Sequence, residues 1–382
     1  MSGNRYSEGF KIEAAKYVNK PFVSVLTTLY NHEYYIHETL MSAINQTLGP
    51  DEIIVIDDAS SDNSVSVASK ISHPSIRLFC QPNNLGGATT IKGLLACKGD
   101  FIAILNSDDY WQDGKLHKQI EYMQANPNCG VVFTRVALVD EKGAYWGRNS
   151  HQLQSVFGTQ NRDRTSWLKY MFSSGNPFCA SSALIRRECL TRLGPLDGRY
   201  IQLQDLEMWL RIAINGFDLH ILQDELTCYR VAREASNMSV STRASRAIYA
   251  YEYSRLLRHF WQLRTLKELQ DIFPEITASG HADNLLKMFY LAHFASKQGS
   301  LYHLQFAVDT MFEWGADEAS MNKAYKCHGF THADYRNFIA QNPLGSIDED
   351  RLSRRLKSLA GAMLTPRANY ILRQIYKKIL RG

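Results

Sequence analysis

No apolar run in the sequence approaches the length of a membrane span. A stretch such as Phe101–Leu105 falls far short of the ~20 residues a spanning helix needs. Residues 1 to 20 are polar and mixed in charge, so no signal peptide is expected to open the chain. The seven cysteines (80, 97, 129, 179, 189, 228 and 327) are odd in number, widely spaced and contain no Cys-x-x-Cys pair. That pattern argues against a disulfide framework or zinc-thiolate site and fits a reducing cytoplasm. Charge of one sign is also wanting: 43 Lys and Arg against 38 Asp and Glu leave a net +5, too little to argue for a nucleic-acid partner. Gly86-Gly87 makes no dinucleotide fingerprint, which argues against a nicotinamide enzyme. There is no Gly-x-Ser-x-Gly elbow, and His32 and His37 have no metal-ligand spacing with any Cys or Glu. Repeats and low-complexity tracts are absent as well. What remains is an ordinary globular chain, 45% hydrophobic and 21% charged over 382 residues, long enough for about two domains.

Its first hundred residues alternate between two periodicities. Strands are predicted at 22–27, 53–56, 76–79 and 101–105, and helices at 35–48, 64–71 and 89–96, with a glycine loop over 83–87. Strand-helix-strand alternation predicts a parallel α/β sheet covered by helices, with ligands bound beyond the carboxyl ends of the strands. Three strands end there in Thr28/Tyr30, Asp57/Asp58 and Asp108/Asp109. Beyond residue 130 the pattern predicts strands at 131–139 and 180–186 and helices at 164–172 and 205–215. From about Ser241 nearly everything reads helical.

Each acidic site supports two readings. Asp108-Asp109 offers hard oxygen ligands suited to Mg2+ or Mn2+ on a diphosphate, or else a turn starting the helix near Lys115. Asp57-Asp58 can accept hydrogen bonds from a nucleobase or ribose, or supply local caps. Asp205 can serve as general base toward a hydroxyl, or merely favour the helix dipole.

The ordered segments Pro21 to Asn31, Ser42 to Leu48, Glu52 to Ser64, Asn84-Leu85-Gly86-Gly87, Gly99 to Ile102, Leu105 to Trp111, Gly194 to Asp197, Gln204 to Arg211 and Tyr229-Arg230 change the weighing. Together they resemble the family 2 (GT-A fold) inverting glycosyltransferases of the kind that build bacterial surface glycans, over residues 20 to 240. The resemblance implies a GT-A α/β domain with a Rossmann-like mixed sheet flanked by helices at 21–240. A mainly helical C-terminal domain at 241–350 would follow, with an N-terminal extension at 1–20 and a basic tail at 351–382. It further implies that Thr28 and Tyr30 flank the base and ribose of a nucleotide-sugar, and that Asp58, with Asp57, binds uracil or its equivalent. Asn84, Gly87 and Arg230 would complete the donor site. Asp108 and Asp109 would serve the ribose or sugar and a divalent metal, Mn2+ or Mg2+, and Asp205 would be the base for in-line attack. The implied reaction moves a sugar, most simply from a UDP-sugar, to a glycan or lipid-linked acceptor in surface polysaccharide, lipopolysaccharide or glycoconjugate assembly. Rival readings are a catalytically silent nucleotide- or glycan-binding scaffold and a nucleotidyltransferase.

Three positions depart from the family pattern. Asn106 stands where its acidic triplet begins with Asp, Gln204 stands where Glu commonly precedes the base, and Val231 to Glu234 replaces a histidine after Tyr-Arg. Arg230 or Arg233 is then the cation expected at the diphosphate. At the far end, residues 351 to 382 hold nine basic residues and no acidic ones, and Ala368, Ile371, Leu372, Ile375, Tyr376, Ile379 and Leu380 form one apolar stripe over 367–381. Such a helix suits an anionic membrane surface, and so a peripheral place on the inner face of the cytoplasmic membrane. Packing on the helical domain, or on a second copy in a homo-oligomer, is the alternative.

Overall fold

Four parallel strands build the half of the sheet that carries the acidic ends. In a computed structural model, which describes residues 20–146, 153–231, 242–278 and 283–342, these are β1 (Val23–Leu29), β2 (Glu52–Asp57), β3 (Ile76–Cys80) and β4 (Phe101–Ile104). β1, β2 and β4 are buried along nearly their whole length, which is why they read as continuous apolar runs rather than alternating ones. β3 lies at the edge and is half-exposed. The crossovers are α1 (Ile36–Ile44), α2 (Ser64–Ser69) and α3 (Gly87–Ala96). All three inter-strand pairings are parallel, so the chain ends of β1, β2 and β4 emerge on one side.

The other half of the sheet is antiparallel and mixed. It comprises β5 (Tyr110–Trp111), β6 (Cys129–Val139), β7 (Leu184–Arg186) and β8 (Asp218–Arg230), giving the order β3-β2-β1-β4-β7-β6-β8-β5. Helices α4 (Lys115–Ala125), α5 (Leu153–Phe157), α6 (Arg164–Ser173), α7 (Arg187–Leu193) and α8 (Gln204–Ile214) complete this part. The described residues divide into two compact units after Glu252, within α9 (Arg243–Leu256). In the second, α10 (Leu266–Ile272), α11 (Lys287–Ser296), α12 (Leu301–Trp314), α13 (Glu318–His328) and α14 (His332–Ile339) bury Phe260, Phe273, Leu291, Phe306 and Met311. Capping boxes at Thr265/Glu268 and Thr331/Asp334 start two of these helices. Among the described residues no helix is long and apolar enough to cross a membrane.

Local polar bonds explain where sequence periodicity misled. The helix expected over 35–48 stops at Ile44, because Gln46 donates to the Gln112 carbonyl (2.8 Å) and the Thr47 N–H to Asp113 (2.6 Å), pulling 46–47 toward the end of β5. The strand expected over 180–186 begins as a 3-10 turn, Ala180–Ser182. There the Ser182 hydroxyl donates back to the Cys179 carbonyl and Ser181 turns inward to Asp109. β8 was not anticipated. Its pairing with β6 slips in register three times, which breaks the two-residue alternation. The basic tail 351–382 and Arg233 lie outside the described residues.

Helix α8 is seated by one ion pair. The guanidinium of Arg211, in the last turn of α8, donates to Glu207 (2.7 and 3.0 Å) and to the carbonyls of Leu193, Gly194 and Pro195, tying α8 to the end of α7 and the residues after it. Glu207 is 1% exposed, so its loss strands a half-buried cation. Glu207→Ala is expected to cost about 3 to 5 kcal/mol of unfolding free energy, read from urea midpoints at constant m.

Candidate active site

The end of β2 organises a loop. Asp58 accepts hydrogen bonds from Leu85 N (2.7 Å), Gly86 N (2.9 Å), the Thr89 hydroxyl (2.6 Å) and Gln81 Nε2 (3.2 Å). Asp58 therefore anchors the glycine loop, and its oxygens are engaged there rather than open to a base. Its neighbour Asp57 differs: Oδ2 accepts from Ser60 N (3.1 Å), but Oδ1 is buried with no partner among the described residues. An orphaned buried carboxylate oxygen fits a ligand N–H or hydroxyl. The backbone beside it is strained. Ala59 has φ +62° and Asn31 φ +52°, and Asn31 is locked to the second loop through Ser60 Oγ (3.0 Å) and Ser61 N (2.8 Å). Tyr30 is 47% exposed on this rim, and Asn84 is exposed with its side chain accepting from Gly86 N. Gly87 is closely covered: a Cβ there would overlap the Gln204 side chain.

At the end of β4 the two carboxylates part company. Asp109 is 1% exposed, and both its oxygens are engaged, Oδ2 by Ser181 Oγ (2.5 Å) and Oδ1 by Arg230 N (2.9 Å). Burial and then the Asp108 charge push its pKa well above the ordinary carboxylate value. Asp108 is half-exposed and its carboxylate has no hydrogen bond among the described residues. Arg230, expected at the diphosphate, lies largely inside the fold. It is 4% exposed, lies over the rings of Tyr35 (4.5 Å) and Tyr110 (5.5 Å), and donates to Glu38 and to the carbonyls of Asp108, Asp140 and Glu141. Its guanidinium braces the strand ends from within.

A cleft of about 240 Å³ opens between β1, β4 and the start of α8. Thr28, Thr90, Asn106, Gln202, Gln204 and Asp205 give it polar walls, and Leu26, Ile104 and Met208 are among its apolar ones. Three sequence-derived positions, Thr28, Asn106 and Asp205, thus converge here, while Tyr30, Asp57, Asp58, Asp108 and Asp109 do not line it. Ser181 joins the two regions, since its hydroxyl donates to Asp109 and accepts from Asn106 N (3.1 Å). One edge of Asp205 is open to the cleft, and burial of the remainder raises its pKa. Leu206 N (2.8 Å) and Asn176 Nδ2 (2.7 Å) each donate to one of its oxygens. Asn176 was missed in the sequence; the Asn-Pro pair 176–177 reads there as an ordinary turn.

Paired acids at the ends of parallel strands and a cleft-facing acid at a helix start fit an α/β group-transfer enzyme. Comparison with known proteins names the family. Residues 24–193 match the model of Glycosyl transferase family 2. A Haemophilus influenzae protein described as an uncharacterised glycosyltransferase is 29% identical over 179 residues, 46% of this chain and 66% of its own length. A Bacillus subtilis protein, provisionally described as the teichuronic acid biosynthesis glycosyltransferase TuaG, is 28% identical over 247 residues, 63% of this chain and 91% of its own. The crystal structure of S. aureus TarS 1–349 in complex with UDP-GlcNAc superposes with a TM-score of 0.51 at 18% identity, covering 84% of this chain and 90% of that one. The fold is the GT-A fold.

The raised pKa of Asp109 has a measurable consequence. The folded protein holds that proton to higher pH than the unfolded chain, whose value is about 3.9. Its stabilising share is therefore complete below that value and is lost as pH rises through the native one. Relative to Asp109→Asn, the thermal midpoint of the wild type should fall steadily as buffer pH climbs from about 4 toward neutrality.

Proposed function

We propose that the protein transfers a neutral sugar from a UDP-sugar to an acceptor hydroxyl with inversion, in the assembly of a surface glycan. The observation that carries this reading is Asp205, half-buried on the cleft wall with a raised pKa and its carboxylate already oriented. No other ionisable side chain lines that cleft among the described residues. A retaining route through an enzyme nucleophile needs a second carboxylate close by, whereas one base on the acceptor side serves a single displacement. The lining of hydroxyls and amides suits a sugar's own hydroxyls, and a uronate would face Asp205 with no cation to balance it. TarS complexes with UDP and UDP-GlcNAc, and the TuaG description, support a UDP donor and a wall-polymer setting.

In this reading Asp57 Oδ1 takes a polar group of the base or ribose, Tyr30 flanks it, and Asp58 keeps the 84–87 loop in place. Thr28 and Asn106 line the path toward the sugar. Asp108, open and unpaired, is the residue that would hold Mg2+ or Mn2+. Such ions are commonly bound by one or two carboxylates together with substrate phosphates. The cation would neutralise charge on the departing nucleoside diphosphate. Asp205 accepts the proton of the acceptor hydroxyl as that oxygen attacks the anomeric carbon. The apolar stripe of the basic sequence 367–381 suits a peripheral position at the cytoplasmic membrane, next to a lipid-linked acceptor.

Nucleotide-sugars presented with Mn2+ test the proposal. UDP should be released; pyrophosphate would point to nucleotidyl transfer, and binding without turnover to a silent scaffold. Asp205→Asn should lower kcat about 10²- to 10⁴-fold with donor affinity kept, and Asp108→Ala should weaken metal-dependent donor binding in a titration. UDP-GlcNAc or UDP-glucose should outcompete UDP-glucuronate in kcat/KM; a preference for the uronate would overturn the neutral-sugar assignment.

A further inference from the structure

Asp205 does not stand alone on the cleft wall. Between α6 and the Ala180–Ser182 turn, Gly175 takes φ +95°, a left-handed conformation that a side chain would strain, and redirects the chain into Asn176. Pro177 has no N–H, so the next backbone donor is Phe178 N, which donates to Asn176 Oδ1 (3.0 Å). A peptide N–H can only donate, so the atom facing it must be the amide oxygen. The NH2 is thereby turned toward Asp205, where Nδ2 donates to Oδ2 at 2.7 Å. Leu206 N holds Oδ1 from the other side at 2.8 Å. The carboxylate is gripped at both oxygens by donors that cannot rotate away.

We propose that Asn176 is the positioning residue of the transfer reaction, a clamp that fixes the plane of the Asp205 carboxylate and keeps it a proton acceptor. This rests on the reading of Asp205 as the base. In that role it does what the acidic neighbour replaced by Gln204 cannot, and by the opposite means: a neighbouring carboxylate would favour the protonated acid, whereas an amide donor favours the ion. The other titratable groups around Asp205 leave this role to Asn176. Cys179, on the same segment, and Tyr229, on β8, both have their pKa raised, first by burial and then by the surrounding carboxylates, so both stay uncharged at working pH. Asp109 and Asp108 at the end of β4 also act on Tyr229, and Asp109 is held by Ser181 and Arg230. Glu207, two residues further along α8, is paired with Arg211.

Full-length Asn176→Ala and Asn176→Asp provide the test, beside wild type and Asp205→Asn. Two readouts are taken from about pH 4 to 8: kcat/KM for UDP release from UDP-GlcNAc or UDP-glucose, and the carboxyl-carbon NMR titration of aspartate-labelled protein, in which Asp205→Asn identifies the Asp205 signal. Asn176→Ala should move both the acidic limb and the Asp205 titration upward by about one pH unit, the worth of one hydrogen bond to a charged group. Asn176→Asp should move them further, because an oxygen would then face Asp205 and the two carboxyls would share a proton. UDP affinity and thermal midpoint should be little changed in the alanine variant, which decides the matter alone if the aspartate variant does not fold. An Asp205 signal titrating at the wild-type pH in a folded, UDP-binding variant would overturn the clamp. Full turnover by Asp205→Asn would instead overturn the base assignment, and the NMR titration would still report on the clamp.

Discussion

The burial of Asp109 is the constraint around which the site is arranged. A carboxylate taken out of water at a strand end requires donors on both oxygens, and here they come from two distant stretches: the Ser181 hydroxyl before β7 and the backbone N–H of Arg230 at the end of β8. Meeting that need draws the antiparallel half of the sheet onto the carboxyl end of β4. It also settles the division of labour in the acidic pair. Asp109 becomes internal scaffolding and Asp108 keeps its oxygens free. Arg230 then reaches beneath the same turn to the carbonyls of Asp108, Asp140 and Glu141, so its cation braces the wall.

The same economy operates across β2. Asp57 and Asp58 are adjacent in sequence but have opposite surroundings, one orphaned at an oxygen and one with four donors. In each adjacent pair, one acid builds the frame and the other is left with unspent acceptor capacity. The pairing of roles follows from geometry, because neighbouring side chains at a strand end leave it in different directions. It gives the site both rigidity and an open ligand position.

The parallel half of the fold was legible from the sequence because β1, β2 and β4 are buried on both faces and leave continuous apolar runs. Phe101–Ile104 and Glu52–Asp57 lie within a residue of where the apolar runs place them. The antiparallel half was not. β8 carries three register slips against β6, and β5 is two residues long, so neither leaves a periodic trace. Within the site, acid positions at strand ends could be found by pattern, and Asp205 by its place at a helix start. Their individual tasks could not, since whether Asp58 or Asp57 is engaged depends on backbone N–H groups almost thirty residues away at Leu85 and Gly86. Asn176 left no signal because its partner lies across the fold and only the left-handed Gly175 turns it there.

Asn176 and Ser181 sit on one short stretch of chain, one gripping the acid of the cleft and the other the buried acid of the sheet. Four residues separate them, running through Pro177 and into the Ala180–Ser182 turn. A one-residue insertion or deletion between them would shift one contact relative to the other. Ile201 and Gln202 line the same cleft with their backbone N–H groups held by Glu252, so exchanging their side chains would reshape the cleft rim while leaving the spacing between the two acids unchanged.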